Sequence, residues 1–428
     1  MAQQVFPPAN ALPAIPELPD PFLMMSGKRV STLAEWRLRR DELKEPFLYY
    51  EYGHFPPAPG NIVATDTTSV SALGGTAIDK RMRLTMGPDH KVIFTLRLLI
   101  PTGKPGPFPI LVKNDYDVAL MPIPQEAINR GYIIAEFKRE EIALDSDNRN
   151  VGVYPLYPDY DWGTIAAWAW GHMRVVDYLL TLNNVDKTRI GVTGHSRGGK
   201  AALLAGAMDE RIALTAPNGS GAGGCGTFRF QGPGAEALGD IMKNFPFWFH
   251  PNLKTFKGIE TSLPFDQHEL KALVAPRALI CTDALSDPWA NPQGDQRSHL
   301  AAKEVYKFLG VPEKIGIHFR PGTHDQTEDD WRTLLDFADW QFFGKQSARS
   351  FDTTAFVGIP SGFSWTSPQV LSTLPGKAVR AKDAASIAKD RVGTIDNPVR
   401  DPLGRRVDSP EKESGSTVGF RFWRKWTR

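Results

Sequence analysis

The apolar and polar positions divide the chain into an ordered middle and two flanks. Between about residues 26 and 345, short β-branched runs alternate with longer stretches at helical spacing. Thr32-Leu33-Ala34-Glu35 is a capping-box pattern and predicts a helix running towards Tyr50. Arg81–Met86 and Val92–Ile100 read as strands joined by the turn signal Gly87-Pro88-Asp89-His90. Ile110–Lys113 and Tyr132–Phe137 read as buried strands. Ile165, Trp168, Ala169, His172, Val176 and Leu179 recur at the spacing of one helix face. Then come strand Arg189–Thr193, helix Arg197–Met208, strand Ile212–Pro217, strand Ala278–Thr282, helix Gly294–Leu309, strand Lys314–Phe319 and helix Glu328–Phe343. Strands separated by helices predict an α/β fold, a mostly parallel sheet with helices on both faces. Reactive groups in such a sheet gather in loops beyond the strands' carboxyl ends.

The flanks lack this order. Residues 1–25 are Pro-rich and read as an extended lead-in. Residues 346–428 show no sustained period and are rich in Ser, Pro, Gly and Asp, so a disordered tail is expected. The tail holds 14 Lys/Arg against 8 Asp/Glu, whereas residues 1–345 hold 36 against 40. The formal net charge of +2 therefore hides a mildly acidic body and a basic tail. Near its end, Phe420-Arg421-Phe422-Trp423-Arg424-Lys425-Trp426 interleaves aromatic and cationic residues. A solvated tail is the expected reading, contact with an anionic polymer the sharper one.

Composition narrows the classes. With 428 residues, 41% of them hydrophobic, the chain can bury a large core without disulfide or metal staples. Two cysteines, Cys225 and Cys281, exclude a cystine-rich scaffold. No Cys/His cluster has zinc-finger spacing and no cofactor motif is present, so no cofactor and no metal are expected. A net charge of +2 argues against nucleic-acid binding driven by bulk charge. No apolar run approaches the length of a membrane span. The N-terminus has no basic region followed by an apolar run, so it is not an intact signal peptide. Ala2-Gln3-Gln4 reads as a mature start.

The candidate chemistry lies in Arg189–Leu203. Here Gly194-His195-Ser196-Arg197-Gly198 forms G-x-S-x-G between a β-rich run and an Ala/Leu helix. A serine on that tight turn is lifted above the sheet, and the glycines remove side chains that would clash. The following helix aims its N-terminal N–H groups at a developing oxyanion. In an α/β-hydrolase the acid and then the histidine follow the serine. After strand Ala278–Thr282, Asp287 lies out in the loop and is the expected acid, with Asp283 at the strand end as the alternative. His299, His318 and His324 follow. His299 falls in a helix and His318 in a strand, so His324, in the loop after the strand, is the expected base. His195 is expected to pack beside the elbow. Such a base predicts activity falling on acidification, with a midpoint roughly between pH 5 and 7.

These residues resemble a known family. Gly194-His195-Ser196-Arg197-Gly198-Gly199-Lys200 is similar to the G-x-S-R-x-G-K signature of the glucuronoyl esterases, carbohydrate esterase family 15. The resemblance extends to Trp162–Gly171, Leu263–His268, Ala275-Pro276-Arg277, Asp287–Pro292 and Gly322-Thr323-His324, and covers about residues 20 to 345. It implies cleavage of the ester between glucuronic acid of xylan and a lignin alcohol. It also implies that Arg197 contributes to the oxyanion hole, that Lys200 contacts uronate hydroxyls and that Trp289 packs on the sugar. Many members carry the acid as Glu at the position of Gly219, so this chain resembles members that use the later Asp. Glu236 aligns with a sugar-contacting position. The expected setting is a secreted or periplasmic monomer with its leader removed, acting on glucuronoxylan or lignin–carbohydrate esters. Two other readings stand beside it: an acetylxylan or other carbohydrate esterase, and a catalytically inactive carbohydrate-binding protein.

Overall fold

The computed structural model describes residues 6–118 and 121–369. Among them, β1 (Val63–Ala72), β2 (Ala77–Met86) and β3 (Val92–Pro101) form an antiparallel meander. β4 (Phe108–Asp115), β5 (Ile133–Lys138), β6 (Val185–His195), β7 (Leu214–Asn218), β8 (Ala278–Ala284) and β9 (Ile315–Arg320) form a parallel array. An antiparallel β3–β5 pair joins the two into one sheet, ordered β1-β2-β3-β5-β4-β6-β7-β8-β9.

Helices α1 (Leu33–Pro46), α2 (Pro124–Arg130), α3 (Thr164–Leu179), α4 (Arg197–Met208), α5 (Leu238–Asn244), α6 (Gln267–Ala272), α7 (Pro292–Phe308) and α8 (Glu328–Phe343) connect and cover the strands. On one face, Ile128 of α2 and Trp331, Leu335 and Phe337 of α8 pack against Leu111, Ile134, Leu214 and Ile280. On the other, α3, α4 and α7 lie against the central strands. Strands covered on both faces need no polar side, and every residue of β8 is buried. No helix among the described residues is long and apolar enough to cross a membrane.

Four expectations change. β1 has no counterpart in the sequence reading: its residues are nearly all exposed, so no alternation marks it, and only Val and Thr enrichment signals a strand. The helix capped by the Thr32–Glu35 box stops at Pro46 and gives way to a wider turn over Phe47–Tyr52. Pro46 supplies no N–H and its ring crowds the carbonyl four residues back. The Pro-rich lead-in is extended but fastened. Phe22 and Leu18 are buried, and Leu18 N–H donates to Gly362 O at 2.7 Å.

The fourth concerns the tail. Residues 346–369 follow the body instead of leaving it. Ile317 N–H donates to Phe351 O at 2.7 Å, and the Trp365 indole N–H donates to Leu18 O at 2.8 Å. Phe351 and Trp365 act as isolated apolar anchors whose burial offsets the ordering of an extended segment. Such anchoring leaves no period in the sequence. The remainder of the expected tail, with Phe420–Trp426, lies outside the described residues.

Candidate active site

β6 ends at His195 and α4 begins at Arg197, which leaves Ser196 at φ 56°, ψ −124°. A non-glycine residue there stores strain on the order of 1–3 kcal/mol, sustained by its surroundings. The glycines make the turn possible. A Cβ on Gly194 would lie 2.3 Å from Gly198 O, and one on Gly198 would lie 2.7 Å from Asn114 Oδ1. The elbow is also tied to the next strand, since Ser196 N–H donates to Asn218 O at 2.9 Å.

Two loops meet over this turn. His324 Nε2 lies 2.9 Å from Ser196 Oγ, and His324 Nδ1 lies 2.5 Å from Asp287 Oδ2. The acid loop and the histidine loop are zipped together: Leu285 N–H donates to Arg320 O at 2.8 Å and Ser286 N–H to Gly322 O at 3.0 Å. Serine, imidazole and carboxylate thus form one hydrogen-bonded line beyond the carboxyl ends of β6, β8 and β9. The imidazole can take the hydroxyl proton while the carboxylate fixes its tautomer.

Asp283 is placed differently. It is fully buried near Asp295, Lys271, Cys225 and Cys281, and burial together with the Asp295 charge raises its pKa well above the usual carboxylate range. Asp295, beside it, is ion-paired with the Lys271 ammonium. The Cys225 and Cys281 sulfurs lie 3.3 Å apart as free thiols. These sulfurs and Asp295 offer ligand atoms within 4.8 Å of one another, but Lys271 already balances the carboxylate.

The other histidines weighed as candidates have partners of their own. His299 and His318 pair with Asp352 and Asp329, each at 3.1 Å. His195 lies against His324, ring centroids 4.6 Å apart. Asn218 Nδ2 donates to Thr282 Oγ1 at 2.8 Å, so Asn218 Oδ1 faces His195 Nδ1, 2.6 Å away, and the proton resides on Nδ1. Burial lowers the His195 pKa, which keeps this ring neutral. Gly219 borders the pair: a Cβ there would lie 3.6 Å from His324 Cε1.

The residues assigned to substrate by resemblance divide in two. Trp289 is 45% exposed beside the acid loop and is free to take a ring face. Lys200 is 3% exposed. Its ammonium is engaged by Ser220 O at 2.7 Å, Ala222 O at 2.5 Å and Glu236 at 3.5 Å. Burial lowers its pKa, opposed by the Glu236 charge. Glu236 is equally buried, and its backbone N–H donates to Trp289 O at 3.1 Å. The Lys200–Glu236 pair thus lies under the loop that carries Trp289.

Sequence reasoning missed the groups that set these side chains in place: Asn218 under His195, Arg320 beneath the His324 loop, and Asp145, Phe245 and Trp248 around Arg197. None carries a local motif, because each acts through a contact distant in sequence.

Comparison with known proteins places these features in context. Residues 84–310 match the family model for fungal glucuronyl esterases. Carbohydrate esterase MZ0003, from an unknown prokaryotic organism, is 31% identical over 390 residues, covering 76% of this chain and 90% of that protein. The 4-O-methyl-glucuronoyl methylesterase 1 of Wolfiporia cocos is 31% identical over 388 residues, covering 82% and 89%. Among solved structures, a carbohydrate esterase family 15 glucuronoyl esterase from Caldicellulosiruptor kristjansonii is 33% identical. It superposes with a TM-score of 0.72 over 84% of this chain and 99% of that one.

Proposed function

Because the chain belongs to the glucuronoyl esterase family, we propose that it hydrolyses esters of glucuronic acid, including 4-O-methylglucuronic acid, in xylan–lignin linkages through a covalent acyl-enzyme. The observation that carries the mechanism is the Ser196–His324–Asp287 line, at 2.9 and 2.5 Å, on a strained elbow. Ser196 Oγ bonds to the ester carbonyl carbon as its proton passes to His324 Nε2. The carbonyl electrons move onto oxygen, where the Arg197 backbone N–H and guanidinium stabilise them. As the C–O bond to the alcohol breaks, His324 gives its proton to the leaving oxygen. Water then adds through the same base, releasing the uronic acid and restoring Ser196.

Trp289 offers a face for the pyranose ring. The nucleophile, base and acid come from one chain, which supports a monomer. A cell-wall polymer as substrate supports a secreted or periplasmic enzyme.

The test sets benzyl glucuronate beside acetylated xylan. Turnover of the uronate ester is expected. Turnover of acetates alone would replace this reading with an acetylxylan esterase. Failure of a serine-directed phosphonate to label Ser196 would favour an inactive carbohydrate-binding protein.

A further inference from the structure

Arg197 follows the nucleophile in sequence, but sequence alone does not fix where a long, flexible guanidinium points. In the structure it is fixed from several sides. Its Nη1 is ion-paired with Asp145 Oδ2. Its guanidinium carbon lies 4.7 Å from the Trp248 ring centroid and 5.1 Å from that of Phe245. Those two rings stack 4.0 Å apart with 5° between their planes. Asp145 is itself held. Its Oδ1 accepts the Trp248 indole N–H at 2.7 Å, its Oδ2 accepts the Tyr116 hydroxyl at 2.9 Å, and its backbone N–H donates to Glu140 at 3.0 Å. The carboxylate is largely out of solvent, where a charge pair is screened less than at the surface.

We propose that Asp145 is a positioning residue for ester hydrolysis, holding the Arg197 guanidinium against the Phe245–Trp248 pair so that it stays beside Ser196. The proposal rests on the reading of Ser196 and Arg197 given above. Asp145 forms no bond to the reacting atoms. It removes the orientations in which Arg197 would swing to water, and so completes a preorganised site for the oxyanion before substrate arrives. The same carboxylate receives the Trp248 indole, so one side chain sets both the cation and the aromatic surface it lies on.

The experiment is a double-mutant cycle on benzyl glucuronate, with kcat, KM and Tm measured for wild type, Arg197→Ala, Asp145→Ala, Asp145→Asn and Asp145→Ala/Arg197→Ala. Arg197→Ala is expected to lower kcat about 100-fold, as loss of an oxyanion donor does. Asp145→Ala is expected to lower kcat about 10- to 50-fold with a smaller change in KM, the pattern of an interaction made in the transition state. The two losses should overlap, leaving the double variant within about twofold of Arg197→Ala. Asp145→Asn, which still accepts the indole N–H but lacks the charge, should fall between wild type and Asp145→Ala and stay folded. Losses that multiply in the double variant, or Asp145 variants that lower Tm but not kcat, would overturn the proposal while leaving the reading of Arg197 intact. A wild-type kcat in Arg197→Ala would instead remove the reading of Arg197 and the proposal with it. No turnover of the uronate ester by wild type would remove the functional reading itself.

Discussion

Arg320 donates through Nε to Asp330 at 2.6 Å, and both side chains are buried where β9 gives way to the loop bearing His324. The remaining guanidinium nitrogens brace that loop from inside, with Nη1 donating to Pro321 O at 3.0 Å and Nη2 to Thr323 O at 3.3 Å and to Asp325 O. Asp330 also accepts Thr327 N–H at 2.8 Å, closing the cap of α8. Arg320→Met would leave a buried carboxylate without its cation, a loss of about 3–5 kcal/mol. It would also release the carbonyls on either side of His324. Calorimetry should show a Tm lowered by several degrees, and kcat should fall by about tenfold or more as the base loses its orientation. Unchanged Tm and kcat would reject the brace.

The two aspartates four residues apart should respond to the same substitution in opposite ways. Asp287→Asn removes the charge facing the His324 Nδ1 proton, and kcat should fall by about 10³- to 10⁴-fold. Burial and the Asp295 charge push the Asp283 pKa well up, which favours its neutral form. Asparagine is neutral and matches its size, so Asp283→Asn should keep kcat within about threefold. A large loss in Asp283→Asn with an active Asp287→Asn would exchange the two roles.

The parts of this molecule legible in the sequence are those governed by local rules. α4 and α8 span Arg197–Met208 and Glu328–Phe343, as their periodicity predicts, and the elbow is marked by its own glycines. The order serine, acid, histidine follows the chain because Ser196, Asp287 and His324 each come just after a strand, in the turn or loop beyond β6, β8 and β9. The parts that were not legible depend on contacts between distant segments. β1 is exposed on both faces and carries no alternation. Residues 346–369 order around Phe351 and Trp365, two side chains without a period. Lys200 reads as a substrate contact by resemblance, and the structure adds its bonds to Ser220, Ala222 and Glu236, none of which its neighbours in sequence announce.

Trp289 offers a separate test of the sugar-facing side. Nearly half its surface is exposed, and its ring is not part of the core. Trp289→Ala should leave Tm nearly unchanged, since surface substitutions mostly stay within about 0.5 kcal/mol. If the ring holds the pyranose in ground and transition state alike, KM should rise about 5- to 20-fold with kcat little affected. Steady-state kinetics on benzyl glucuronate decide it. An unaltered KM would remove Trp289 from the substrate surface.

Glu51 ties the stability of the fold to pH. It is fully buried, and both its oxygens accept from Gln267 Nε2, at 3.1 and 3.2 Å. Burial pushes its pKa up to about 8, against the lowering effect of the bonds from Gln267 and Tyr52, with Asp266 raising it and Lys200 lowering it. Between the ordinary carboxylate range and pH 8 the folded protein holds this proton and the unfolded chain does not. Unfolding then releases a proton, so stability falls as pH rises through that window. Glu269, pushed up to about 8, and Glu136, to about 7, act in the same sense. His172 and His268, lowered to about 3 and 4 by burial, act in the opposite sense, but their effect is complete above about pH 6.5. Glu51→Gln mimics the protonated side chain at every pH and removes one of these contributions. Urea unfolding between about pH 6.5 and 8 should therefore show a shallower decline of unfolding free energy in the variant than in wild type. Groups common to both proteins cancel in the comparison, so equal slopes would mean that Glu51 is already ionised in the folded state despite its burial.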